Sequence, residues 1–225
     1  MEKYINQIIH ADCMDILKQL PDKCVDLVLT DVPYDMNFQS NRRKDKYKHI
    51  ENDDNLNWLS EWCKQVKRII KDNAHLYIFC SWHNVDVFKQ EIEKYIKIKN
   101  ILIWVKNNTG MGDLINDYAP KYEMILFCNP NNKPLNDGRD SNILYFNRTN
   151  NVNHPTEKPI DMMSYLIRKS TKEGDLIIDT FAGSCPVAIA CHNLKRRFIC
   201  IEKDYDYWKA SVERLENAEA QLRLF

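Results

Sequence analysis

Short apolar runs alternate with stretches of helical spacing from one end of this chain to the other. Runs at 5–10, 25–30, 75–80, 99–105, 121–128, 175–179 and 196–202 read as strands, and stretches at 15–19, 56–71, 85–96, 160–170, 184–194 and 204–218 read as helices. Parallel strands need a crossover between them, and a helix is the usual one. Strand–helix alternation therefore argues for an α/β chain, a mainly parallel sheet with helices on both faces. The stretch 56–71 places Leu56, Leu59, Trp62, Val66, Ile69 and Ile70 on one stripe, the mark of a helix packed on a core. At 225 residues, 44% of them apolar, the chain has enough material for one large domain with a sizeable buried interior.

In an open sheet of this kind, ligands bind at the carboxyl ends of the strands. Two places along the chain carry chemistry there. The first is Thr30-Asp31-Val32-Pro33-Tyr34, directly after the apolar run Val25-Asp26-Leu27-Val28-Leu29. Asp31 offers a carboxylate to an amino group, Pro33 restricts Val32 to extended backbone and so fixes where the carbonyls point, and Tyr34 offers a flat face. The same residues also fit a strand ending in an ordinary Asp-x-Pro turn. The second place is Asp179-Thr180-Phe181-Ala182-Gly183-Ser184, where a strand enters a tight turn and then a helix. Gly183 lets a ligand approach the backbone closely. Glu202 ends the next strand, 23 residues after Asp179, and an acid about 20 residues past a glycine loop is the arrangement in which a carboxylate accepts from ribose hydroxyls. Neither a G-x-G-x-x-G dinucleotide fingerprint nor a Walker loop is present.

Composition narrows the function classes. Thirty-two basic residues balance 32 acidic ones, so the chain is not globally basic, and any contact with a polyanion must be local. The eight cysteines form neither a C-x-x-C pair nor a zinc-type cluster, so no metal is expected, and they read as small core residues in a reducing compartment. With no signal peptide and no long apolar segment, a cytoplasmic protein without membrane contact is expected.

Taken together, the motifs resemble those of the amino-group DNA methyltransferases. Asp31-Val32-Pro33-Tyr34 is similar to their Asp-Pro-Pro-Tyr signature, and His154-Pro155-Thr156-Glu157-Lys158-Pro159 followed by the Asp179–Ser184 turn is similar to their S-adenosylmethionine half. The catalytic motif comes first, as in the permuted β class. Trp104-x-Lys106 and Tyr122-Glu123 fall where that family has its later sheet motifs. The resemblance covers nearly the whole chain. It implies a Rossmann-like methyltransferase fold with a mainly parallel seven-stranded sheet containing one antiparallel strand. It implies one domain over 1–225, with a catalytic half at 1–128, a target-recognition insert at 129–153 and a cofactor half at 154–225. It also implies S-adenosylmethionine as cofactor and double-stranded DNA as partner, with a homodimer plausible for so short a chain. Asp31 with the Val32 carbonyl, Pro33 and Tyr34 would handle the target base. Asp12, Cys13 and Lys203 would flank the cofactor's adenine, Glu202 its ribose, Asp179 to Ser184 its methionine part, and Thr156 and Lys158 its carboxylate. Asp as the first residue of the signature favours N6 of adenine, with N4 of cytosine, or a degenerate non-catalytic DNA-binding relative, as alternatives.

Two positions depart from the family pattern. Val32 replaces a proline whose carbonyl is the working group, and valine supplies the same carbonyl. Cys185-Pro186 replaces the usual Gly-Thr, which puts a side chain at a glycine position and removes an N–H. The stretch 41–48, with five basic residues against one acidic, is a candidate phosphate-contacting arm.

Overall fold

The computed structural model describes residues 1–33, 57–110, 114–149 and 157–222. Its strands are β1 (Gln7–His10), β2 (Val25–Asp31), β3 (Ile70–Cys80), β4 (Ile98–Val105), β5 (Tyr122–Cys128), β6 (Ile143–Tyr145), β7 (Leu176–Asp179) and β8 (Arg197–Glu202). They form one sheet in the order β1-β8-β7-β2-β3-β5-β4-β6. Only β5 runs antiparallel to its neighbours among these described strands. The helices are α1 (Cys13–Leu17), α2 (Asn57–Ile69), α3 (Val85–Glu93), α4 (Ile160–Ser170), α5 (Pro186–Asn193) and α6 (Tyr205–Leu222). None of the described helices is long and apolar enough to cross a membrane.

Side chains along each strand alternate between two cores, as a pleated strand requires. Val28, Leu76, Ile78, Ile178 and Ile199 pack with α1, α2 and α3, through residues such as Leu17, Trp62, Val66 and Phe88. Leu27, Leu29, Tyr77, Phe79, Ile177 and Cys200 pack on the other face with α4, α5 and α6, through Met162, Leu166, Ile189 and Leu215. All eight cysteines are free thiols, seven of them buried.

Two elements differ from expectation, and one segment takes a path that the sequence does not specify. The sheet has eight strands rather than seven, because Ile143, Leu144 and Tyr145 pair in parallel with Ile103, Trp104 and Val105 and so cover what would be an open edge. Strand β3 begins at Ile70 rather than 75, because Ile70 pairs with Val25 and Lys71 donates to both Asp26 oxygens at 2.8 Å. The segment whose path the structure supplies is 129–142. Cys128 pairs opposite Leu76 near the start of β3, so this segment leaves the sheet at the edge opposite the strands' carboxyl ends. It then climbs α4 from its C-terminus: Asn136 donates to the Arg168 and Thr171 carbonyls at 2.7 and 2.9 Å, Lys169 to the Gly138 carbonyl at 2.8 Å, and Tyr165 to Asp140 at 2.8 Å. Only its continuation, through β6 to Thr149, reaches the carboxyl edge, where Trp104 donates to the Phe146 carbonyl at 2.8 Å.

Candidate active site

The registers bring His10, Asp31, Cys80, Asp179 and Glu202 to one edge of the sheet. Because β5 runs the other way, its beginning, Tyr122-Glu123, lies at that edge too. Strand β7, which leads into the Gly183 turn, lies directly beside β2, which ends on Asp31. The helix after β2 covers one face and the helix after β7 the other, so the crevice between them is a topological switch point.

On the β2 side, Val32 is buried and Asp31 keeps 28% of its side chain exposed. The Lys158 ammonium forms an ion pair with Asp31 and lies 3.2 Å from Glu123, whose other oxygen is 2.6 Å from Lys106. These residues come from β2, the segment before α4, the start of β5 and the end of β4. Burial works against the Lys158 charge, but the Asp31 and Glu123 carboxylates outweigh it and hold the ammonium above the usual lysine range. Burial likewise opposes ionisation of Glu123, and the Lys158 and Lys106 cations hold its carboxyl below the usual range. Lys158, assigned by its charge to the cofactor's carboxylate, is thus held by two carboxylates of the protein.

On the β7 side the turn is built from its own backbone. Gly183 adopts a left-handed conformation (φ 52°), and its amide donates to Glu202 at 2.7 Å. The second Glu202 oxygen accepts the Asp204 amide at 2.8 Å. Burial pushes the Glu202 carboxyl up, against the pull of these two amides. Asp204 in turn caps α6 through the Asp206 and Tyr207 amides at 2.8 and 3.1 Å. Cys185 also stands in the left-handed region (φ 57°, ψ 46°), immediately before Pro186 opens α5. The family's glycine belongs at such a position, and a residue with a Cβ there costs roughly 1–2 kcal/mol.

Two members of the turn face inward. Asp179 is buried and accepts from Thr30 at 2.8 Å and from the Phe181 amide at 3.2 Å, while Thr180 accepts from Trp62 Nε1 at 3.2 Å. Burial pushes the Asp179 carboxyl up to about 7. These two side chains tie β7 to β2 and α2 and hold the turn from below, which leaves Phe181, Ala182, Gly183 and Ser184 to line it. At β1, Asp12 caps α1 through the Met14 amide at 2.9 Å, and its other oxygen lies 3.4 Å from Lys203. Cys13 is buried, and burial first, then Asp12, pushes its thiol up to about 12. Tyr34, Thr156 and the basic stretch 41–48 lie outside the described residues.

Four residues given no role from the sequence join the site. Glu123 and Lys106 complete the charge chain on Asp31. Arg214, from α6, donates to Glu157 at 2.5 Å and to the Ser184 carbonyl at 2.9 Å, which binds the segment before α4 to the Gly183 turn. Only Glu123 and Lys106 stand in recognisable motif positions; nothing in the sequence marks Arg214. Trp58 packs edge-on against Phe181 with ring centroids 5.5 Å apart, and its Nε1 is buried without a hydrogen-bond partner among the described residues. An orphaned donor, an aromatic ring, a left-handed glycine and two carboxylates at adjacent strand ends suit a nucleoside-bearing cofactor with a polar tail.

Fold and site together define a Rossmann-like methyltransferase. The chain matches the DNA methylase family (N6_N4_Mtase) over residues 25–213 and belongs to it. It is 28% identical to the Type II methyltransferase M2.DpnII of Streptococcus pneumoniae, with 93% of this chain and 89% of that protein aligned. It is 26% identical to the DNA adenine methyltransferase YhdJ of Escherichia coli (strain K12), over 94% of this chain and 83% of that one. Among solved structures it superposes on the M1.HpyAVI–SAM complex with a TM-score of 0.71 at 26% identity, covering 93% of this chain and 98% of that one.

Proposed function

We propose that this chain transfers a methyl group from S-adenosylmethionine to the exocyclic N6 of adenine in double-stranded DNA. The observation that carries the reading is the position of Asp31, at the end of β2 beside the Gly183 turn on the neighbouring strand. Support for adenine comes from Asp as the first residue of the signature and from the similarity to a DNA adenine methyltransferase. S-adenosylmethionine, when bound, supplies a methyl carbon made electrophilic by a positively charged sulfur, which retains the bond's electrons as the methyl leaves.

Asp31 and the Val32 carbonyl accept the two hydrogens of the target amine. The nitrogen lone pair, otherwise delocalised into the ring, is thereby freed and aimed at the methyl carbon, and the proton the nitrogen sheds passes to Asp31 and then to water. This is positioning and electrostatics without a covalent enzyme intermediate. The base leaves the duplex to reach the site, and Tyr34 stacks on it, a contact worth about 1–3 kcal/mol. Each Glu202 oxygen has two lone pairs and uses one on a backbone amide, so it still accepts from ribose hydroxyls. Asp12, Cys13 and Lys203 flank the adenine of the cofactor, the backbone of Phe181 to Ser184 wraps its methionine part, and Trp58 Nε1 and Thr156 donate to its carboxylate. DNA is approached by the carboxyl edge, with the basic stretch 41–48 on phosphates and the end of the insert, 143–149, beside the base. Two copies share the duplex in the cytoplasm.

Nucleoside mass spectrometry of DNA incubated with the protein and isotopically labelled S-adenosylmethionine tests the reading. Labelled N6-methyladenine is the expected product. Labelled N4-methylcytosine alone, or no labelled nucleoside at all, sinks it.

A further inference from the structure

We propose that Lys158 is a positioning residue for the target base: it holds Asp31 in place before the base arrives, and the incoming amine displaces it toward Glu123. The inference rests on the methyl-transfer reading above and deepens it. Only 5% of the Lys158 side chain is exposed, and among the described residues its ammonium is flanked by Asp31, by Glu123 at 3.2 Å and by the ring of Phe79 with its centroid 5.2 Å away. The lysine backbone is fixed from behind, since neighbouring Glu157 is gripped by Arg214 at 2.5 Å. An ammonium carries three donors and no acceptor. Before DNA arrives, one of them rests on Asp31 Oδ2, and in this proposal the target amine takes its place there.

Glu123 makes that occupancy reversible. A buried ammonium stripped of its only anion would be strongly disfavoured. Here, when an amine N–H takes the place of the Lys158 N–H on Asp31, the second carboxylate is already within ion-pair distance. Lys106, 2.6 Å from the other Glu123 oxygen, keeps that carboxylate ionised and in place. The chain Lys106–Glu123–Lys158–Asp31 balances two cations against two anions, so the shift moves no net charge into the site. The same contacts keep Asp31 from swinging away when no base is bound, and a pre-aimed group is what an in-line transfer needs.

The test uses the full chain with Lys158→Ala and Glu123→Gln, measuring cofactor affinity by calorimetry and steady-state methylation of DNA. Lys158→Ala should lower kcat by about 10²-fold, the scale of a misplaced reacting group. Cofactor affinity should stay within about threefold of wild type. Added ethylammonium should restore part of the rate as its concentration rises, which a merely structural lysine would not allow. Glu123→Gln should raise the KM for DNA about tenfold, because the ammonium then lacks the second carboxylate that would receive it. Unchanged kcat in Lys158→Ala with weakened cofactor binding overturns the inference and returns Lys158 to the cofactor's carboxylate. Should Lys158→Ala fail to fold, an unaltered KM and kcat in Glu123→Gln overturns it equally. A wild-type protein that transfers no methyl group sinks the underlying reading instead, a result separate from either variant's behaviour.

Discussion

Midway along β3, His75 is fully buried between the Ser170 hydroxyl, 2.9 Å from Nδ1, and the Lys133 carbonyl, 3.1 Å from Nε2. At the end of β2 and the start of β5, Asp31 and Glu123 hold a buried ammonium. Both edges of the sheet therefore bury polar groups, but they satisfy them differently. A carbonyl only accepts, so His75 Nε2 donates, Nδ1 accepts from Ser170, and Tyr77 OH donates to Ser170 Oγ at 2.9 Å. The hydrogen bonds among His75, Ser170 and Tyr77 join neutral groups, with the Lys133 ammonium on the Ser170 carbonyl at 2.6 Å beside them, and they lock residues 129–136 and the end of α4 to the sheet. The network at the carboxyl edge is charged and meets solvent at Asp31. One edge gains stability from groups that have no partner left to find; the other keeps groups that a substrate can still engage.

Asp31→Ala breaks the comparison at its functional end and has the largest expected effect. Turnover should fall by about 10²–10³-fold or more, as for loss of a group that stabilises developing charge. Cofactor affinity by calorimetry should persist, because Glu202, Asp12 and the Gly183 turn are untouched. Robust methylation by this variant removes Asp31 from the mechanism.

The two edges should also answer pH with opposite signs. Burial holds His75 down at about 4, below its unfolded value of about 6.5. Its contribution is present above the unfolded value and is lost as pH falls through the folded one, a loss of about 2–3 kcal/mol from pH 6.5 to 4. Asp179 lies at about 7, above its unfolded value of about 3.9. Its contribution is complete below the unfolded value and is lost as pH rises through 7, on the order of 3–4 kcal/mol. Urea midpoints of wild type, His75→Gln and Asp179→Asn across pH 4–8 separate the two. The wild-type advantage over His75→Gln should shrink on acidification, and that over Asp179→Asn should shrink on alkalinisation. The same slope for both pairs refutes the assignment.

How much of this was legible follows from the range of each interaction. Strand and helix periods are local, so the alternation and both halves of the site are readable from runs such as 25–31 and 176–184. The Asp31 and Glu202 strand ends are readable because their motifs are contiguous. Lys158 was readable as a cation at the site but not as to which anion it meets, because Asp31 and Glu123 lie 127 and 35 residues away in sequence. Arg214 carries no motif, and its role exists only once α6 packs beside the Gly183 turn. The path of 129–142 is not legible for a similar reason: its turn-rich composition marks a loop but does not say which edge of the sheet it leaves from. Antiparallel β5 settles that.

A smaller effect is expected at the cofactor strand. Glu202→Gln keeps an acceptor for one amide but turns its NH₂ toward the other, so the Gly183 turn loses one of its ties and the ribose one charged partner. Cofactor affinity should fall about tenfold, with thermal stability within about 1 kcal/mol of wild type. Unchanged affinity would show that the Glu202 carboxylate only braces the turn.

Tyr77→Phe is the mildest probe and the sharpest for the opposite edge. It deletes a hydroxyl whose hydrogen bond to Ser170 is buried, leaving the ring and its stacking on Phe127, centroids 5.1 Å apart, in place. Ser170 still donates to His75, so no donor is stranded, and the cost should be about 1 kcal/mol in the urea midpoint with an unchanged slope. Because Tyr77 belongs to the neutral network and touches nothing at the carboxyl edge, kcat and KM should match wild type. A fall in kcat at unchanged stability would mean that strain at one edge of β3 is felt at the other, and the division of labour between the two edges would have to be abandoned.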